Sequence, residues 1–223
     1  SKLLAIVNSS FYGFPSQISS ISHAISIVGL SDFKNLVLSS SVVKLCDEVK
    51  HAEFSIRAFW DHSLLCAILA RRLGSHWGTR SDQETLFIAG LLHDVGKLVM
   101  LEACKENQRA LSDCWDRLDL QAEVSLVGFN HAQAGAELIS TWGLPELLVN
   151  STAQHHVLSQ EPEAVAVCVY LANATVLLEG EALESALVHC NRFTEQPLTI
   201  EELLEIREQS QGEKDTLIGV YLN

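Results

Sequence analysis

Leu86-Phe87-Ile88-Ala89-Gly90-Leu91-Leu92-His93-Asp94-Val95-Gly96-Lys97-Leu98-Val99-Met100 is the most apolar stretch of this 223-residue chain, and a histidine–aspartate pair sits in its middle. As a helix the stretch would be hydrophobic all round, which predicts a buried element. A carboxylate and an imidazole inside such an element cost several kcal/mol unless something pairs with them. A bound cation is one partner that satisfies both, and hydrogen bonding to other buried polar groups is the other.

Outward from this stretch, nearly every segment has helical period and none sustains the alternation of a strand. Ile18, Ile21, Ala24, Ile25 and Val28 form an apolar stripe that Gly29 stops, after the loop Gly13-Phe14-Pro15. Ser31 suits the N-cap of a helix through Phe33, Leu36 and Val42 to about Cys46. Phe59, Leu64, Leu65, Ile68, Leu69 and Leu73 make a second face, closed by Gly74. Ser81 or Asp82 suits the cap of the buried helix. Asn130 suits the cap of a helix from His131 to Trp142, stopped by Gly143. Pro145 fits the first turn of the next helix, which runs to about His156. Val165 to Leu177 is a further helix, and Thr199-Ile200-Glu201-Glu202 is a capping-box pattern that opens a C-terminal one. The fold class is all-α.

The formal charge is −13, from 15 basic and 28 acidic residues. Nucleic-acid backbones need a clustered basic face, and anionic membranes attract basic segments, so neither partner is expected. No apolar window is long enough to span a bilayer. The six cysteines lack the close spacing of a zinc knuckle or a redox pair, and read as small buried hydrophobes of a reducing cytoplasm. No signal-peptide pattern stands at the start. The chain opens at Ser1 without a methionine, which suits a segment excised from beside another domain.

Polar residues intrude on the apolar helices as an ordered series: His62, then His93-Asp94, then His131, then His155-His156. Imidazole nitrogen and carboxylate oxygen are suitable ligands for zinc, iron and manganese. Helical bundles build metal sites from such residues projecting inward from several helices. Lys97 shares a helical face with His93 and Asp94, which suits either a phosphate contact or an ion pair with Asp94.

The order His62, His93-Asp94 and a later Asn173 resembles the H…HD…D pattern of the HD superfamily of metal-dependent phosphohydrolases. Further stretches are more specifically similar to the HDOD family, the HD-related output domain of bacterial signalling proteins. They are Val7-Asn8-Ser9-Ser10-Phe11-Tyr12, Ile21-Ser22-His23-Ala24-Ile25, Ala89 to Lys97, His131-Ala132-Gln133-Ala134-Gly135-Ala136, Trp142-Gly143-Leu144-Pro145 and His155-His156. The resemblance covers about residues 1–180. It implies a small N-terminal helical subdomain (1–50), an HD-like helical core (51–180) and, beyond it, a C-terminal helical extension (181–223). It implies His62, His93, Asp94, His131, His155, His156 and Asn173 as ligands of one or two divalent ions (Fe, Mn, Zn or Mg). It gives Lys97 and Asp94 the catalytic roles, Lys97 as a phosphate contact, in a cytoplasmic bacterial signalling setting.

Two departures bear on function. Asn173 replaces an Asp, and an amide oxygen carries no charge to hold a divalent ion. Ala58, one turn before His62, stands where HD-GYP phosphodiesterases carry Glu, and no Gly-Tyr-Pro follows His155-His156, so cyclic-di-GMP hydrolysis of that type is not expected. Two functions follow. One is a signalling output module that binds a protein partner or a nucleotide or phosphate ligand. The other is an active phosphohydrolase acting on a phosphomono- or diester. A helix-turn-helix reading of residues 17–46 lacks a basic recognition face.

Overall fold

Ser55 stands just outside the first helix of the structure, and its hydroxyl accepts the Ala58 amide proton at 3.1 Å. The structure is a computed structural model that describes residues 54–79, 81 and 83–221, with side chains as far as Asp215. The two helices expected between residues 18 and 46, the N-terminal subdomain, and His23, Cys46 and His51 lie outside the described residues. Among the described residues every regular element is helical.

Helix α1 (Ile56–His76) is followed by α2 (Gln83–Leu92), α3 (Val95–Ala103) and α4 (Gln108–Asp116). Then come α5 (Leu120–Val127), α6 (His131–Thr141), α7 (Glu146–Gln154), α8 (Ala164–Leu177), α9 (Gly180–Cys190) and α10 (Ile200–Tyr221). Helix α1 is the spine. It packs against α2, α8 and α10, while α3 packs on α6 and α7 lies between α6 and α8. The core between α1, α2 and α8 holds Leu64, Ile68, Leu69, Phe87, Leu91, Val169 and Leu171. Burial of such side chains contributes about 1.5–3 kcal/mol each. The C-terminal helix is tied to α1 by Arg72 on Glu213 at 2.7 Å and Lys214 on Asp61 at 2.9 Å.

Most expected boundaries hold, and the exceptions have physical causes. Gly74 does not stop α1. It lies inside the helix, at a point where a β-carbon would strike the Leu86 side chain, so the glycine serves close packing rather than termination. The chain instead leaves α1 through Trp77 and Gly78, which takes the left-handed φ of +58°. The stretch 86–100 is not one helix. It breaks at His93-Asp94, giving α2 and α3 with a two-residue turn between them. Helix α7 ends at Gln154, so His155 is its C-cap. Asn130 and Gln133 form a reciprocal capping box at α6, and Thr199 with Glu202 does the same at α10.

Candidate metal centre

Asp94 occupies the N-cap of α3 with φ −99° and ψ 3°, the sparsely populated bridge region. An aspartate at this position ordinarily caps the helix with its carboxylate. Here it makes no cap bond. Its Oδ2 takes the Lys97 ammonium at 2.6 Å and lies 3.5 Å from Nε2 of both His62 and His93. Its Oδ1 lies 3.3 Å from His131 Nε2 and 3.4 Å from His155 Nε2. One carboxylate thus faces two groups of imidazoles.

Close backbone contact brings the groups together. A β-carbon on Gly90 would lie 2.6 Å from Ala67 Cα, so α2 rests directly on α1 and delivers His93 beside His62. A β-carbon on Gly96 would overlap the His131 carbonyl oxygen, so the first turn of α3 abuts α6 and delivers Asp94 to His131. His62 comes from the middle of α1, whereas His93, Asp94, His131 and His155 all stand at helix ends or turns.

The ring nitrogens are arranged with a consistent polarity. His93 Nδ1 lies 2.7 Å from the Gly90 carbonyl oxygen, and His155 Nδ1 lies 2.6 Å from that of Thr152. His131 Nδ1 lies 2.8 Å from the Glu123 carboxylate, which also accepts the His131 backbone amide proton at 2.7 Å. Each partner is an acceptor only, so each Nδ1 must carry its hydrogen and donate it. The Nε2 lone pairs of His93, His131 and His155 then point inward, and those of His131 and His155 point at one another. His131 Nε2 is 3.1 Å from His155 Nε2 and 2.9 Å from His156 Nε2, and His62 Nε2 is 3.2 Å from His93 Nε2. His131 and His155 as neutral rings so arranged repel. A proton or a metal ion between them removes the repulsion.

Burial opposes the proton. It depresses the pKa of His93 well below the usual histidine value, and it lowers those of His62, His155 and His156 despite the Asp94 charge. For Asp94 burial alone acts upward, but the charge of Lys97 and then His93, with His131 and His155 close by, outweigh it and hold the carboxyl well below its ordinary range. Asn173 lies against the His62 ring and favours its protonated form, yet its Oδ1 is buried without a well-formed hydrogen bond. Asp94 Oδ1 is likewise buried and unbonded. Acceptors without donors are what a cation needs, and the residues fit one.

Two donor sets result. Asp94, His131, His155 and His156 offer atoms within 4.8 Å of one another, and so do His62, Cys66 and His93. All seven positions expected from the sequence fall at or beside this centre. Lys97 forms the expected ion pair with Asp94 and stands with its Nζ 5.9 Å from the Trp115 ring centroid. His76 is exposed, and His189 packs against Tyr170 and Phe193, both away from the centre.

Sequence reasoning missed Glu123 and Cys66. Glu123 is one acidic residue in a short helix, and only its burial reveals that it orients His131. Cys66 does read as a small buried residue, but it lies 3.6 Å from His62 Nε2, and burial pushes its thiol pKa well up.

A cavity of about 430 Å³ opens beside His62, Asp94 and Lys97, walled by Phe54, Phe59 and Trp115. A smaller one of about 80 Å³ reaches His155, His156 and Asn173, and Leu118 and Leu177 border both. Among the described residues no helix is long and apolar enough to cross a membrane.

Comparison with known proteins gives the same outline. The HDOD domain matches residues 1–158. An uncharacterized protein of Treponema pallidum is 28% identical over 186 residues, 80% of this chain. The chain spans only 36% of that relative's length. A Shewanella amazonensis SB2B structure described as a "Putative phosphohydrolase" superposes with a TM-score of 0.75 at 20% identity, covering 99% of this chain and 81% of that one. A Marinobacter aquaeolei VT8 structure described as a "Putative signal transduction protein" gives 0.69 at 20% identity, covering 100% of this chain and 52% of that one. At these identities the likeness is one of fold.

Proposed function

Because this chain belongs to the HDOD domain family, we propose that it serves as a bacterial signalling output domain whose HD-type core holds a divalent metal ion. The observation that carries this reading is the set of inward-facing Nε2 lone pairs around Asp94, held by Nδ1 bonds to Gly90, Thr152 and Glu123. His62, His93 and Asn173 would hold an ion on the Oδ2 side of Asp94, and His131, His155 and His156 one on the Oδ1 side. Imidazole-rich donors suit zinc, iron or manganese better than magnesium.

A second reading, a working phosphohydrolase, is favoured by the cavity beside His62, Asp94 and Lys97. A divalent ion bound there supplies Lewis acidity to a phosphoryl group. Lys97 offsets charge developing on the phosphate oxygens. Phe54, Phe59 and Trp115 wall one side of the cavity and limit water there. Asn173, with no charge of its own, weakens this half of the site and tilts the balance towards the signalling role.

The two readings separate in one comparison of wild type with His93→Ala/Asp94→Ala. An output domain turns over no generic phosphate ester in either form, and its metal content falls in the variant. Turnover by wild type that the substitutions abolish overturns the signalling reading in favour of the hydrolase.

A further inference from the structure

Cys66 follows His62 by four residues on α1, so both side chains leave the same face of the helix one turn apart. That face is covered by α2, whose Gly90 has no β-carbon to hold it away from Cys66 and Ala67. The close approach sets His93 against the same spot. Cys66 Sγ, His62 Nε2 and His93 Nε2 all lie within 4.8 Å of one another, with Sγ to His62 Nε2 at 3.6 Å. The thiol is fully buried and in no disulfide. Asn173 Oδ1, 97% buried by its residue's 3% exposure and without a bond of its own, lies on the His62 side of the same space. Among the described residues Cys66 is the one cysteine grouped with histidines.

We infer that Cys66 is itself a metal ligand, and that the His62–Cys66–His93 half of the centre selects a thiophilic divalent ion such as zinc, ferrous iron or cobalt over magnesium or manganese. The inference rests on the metal reading above and deepens it. Ligation exchanges the S–H bond of Cys66 for a metal–sulfur bond and releases that proton to solvent. Thiolate sulfur binds soft and borderline ions and discriminates against hard ones, which prefer oxygen. The donor set so formed, two imidazoles, one thiolate and an Asp94 or Asn173 oxygen, matches the four-coordinate preference of zinc.

The test uses the full chain freed of metal and reloaded with cobalt or zinc. Elemental analysis counts the ions bound. With cobalt, a near-ultraviolet sulfur-to-metal charge-transfer band is expected in wild type and is lost in Cys66→Ser, while Cys114→Ser and Cys168→Ser keep it. With zinc, X-ray absorption of wild type is expected to show one sulfur at about 2.3 Å. Should Cys66→Ser fail to fold, the chain with the other five cysteines replaced by serine must retain both signals. Protein that binds the ion with no sulfur signal, or whose signal survives in Cys66→Ser, overturns the role of Cys66 and leaves the histidine site intact. Protein that binds no ion overturns both.

Discussion

His131 Nε2 and His155 Nε2 lie 3.1 Å apart in a buried site, and in both rings the other nitrogen already donates its hydrogen to a fixed acceptor. Neither ring in its neutral form can donate to the other. The spacing is therefore a demand for positive charge, and burial lowers the pKa of His155 and so resists meeting that demand with a proton. Asp94 Oδ1 adds a third acceptor to the same point, at 3.3 Å and 3.4 Å.

Glu123 fixes this polarity from behind. Replacing it with alanine strands the His131 Nδ1 hydrogen and the His131 backbone amide in a buried site. The expected cost is about 2–4 kcal/mol in urea unfolding of metal-free protein. Metal affinity should fall roughly 10–100-fold, as for other outer-shell partners of a ligating histidine. Titration with a competing chelator reads the affinity, and an unchanged value would show that the His131 tautomer does not matter.

Acid should weaken the metal-free fold earlier than carboxylate titration explains. His62, His93, His155 and His156 have folded pKa values below 6.5, so below that pH the unfolded chain takes up protons that the folded chain refuses. Stability then falls as pH falls, by about 1.4 kcal/mol per pH unit for each histidine so affected. Asp94 acts in a lower window, because its contribution is lost only as pH drops from 3.8 through its depressed folded value. Urea midpoints of chelator-treated protein at about pH 7.5 and about pH 5.5 check the sign, the lower pH being the less stable. Equal midpoints would mean that the folded rings take up protons as readily as the unfolded ones.

Gly96 holds α3 against α6. Alanine normally favours a helix over glycine by about 1 kcal/mol. Here the added methyl would overlap the His131 carbonyl oxygen and force the helices apart. Gly96→Ala is expected to destabilise by about 1–3 kcal/mol through overpacking, and to lower metal occupancy because Asp94 moves away from His131. Thermal melts and elemental analysis of the same sample measure both.

Lys97 is bonded to Asp94, yet it also faces the larger cavity. Lys97→Met should leave bound metal in place, since lysine competes with an ion for Oδ2. It should remove affinity for inorganic phosphate, or turnover of a phosphate ester where that activity exists. Calorimetric titration of metal-loaded protein with phosphate reads the loss, and full retention of binding would place the anion elsewhere.

The helical class was legible from periodicity, and Asn130 and the Thr199-Glu202 box marked two helix starts by capping chemistry that acts over three residues. The ordered histidines were legible because polar residues in apolar runs call for an explanation. The break at His93-Asp94 was not, since hydrophobicity is continuous across it. On either side of it Gly90 and Gly96 meet other helices, which is tertiary information. The same holds for Glu123 and Cys66, whose meaning comes from residues 8 and 27 positions away, His131 and His93.

The most direct test is anomalous diffraction across transition-metal absorption edges, on protein purified without chelator. An anomalous peak is expected beside Asp94, within bonding distance of His131 Nε2 and His155 Nε2, with matching metal content in the same protein by elemental analysis. Metal-free protein whose two Nε2 atoms still face each other across an empty gap would contradict it.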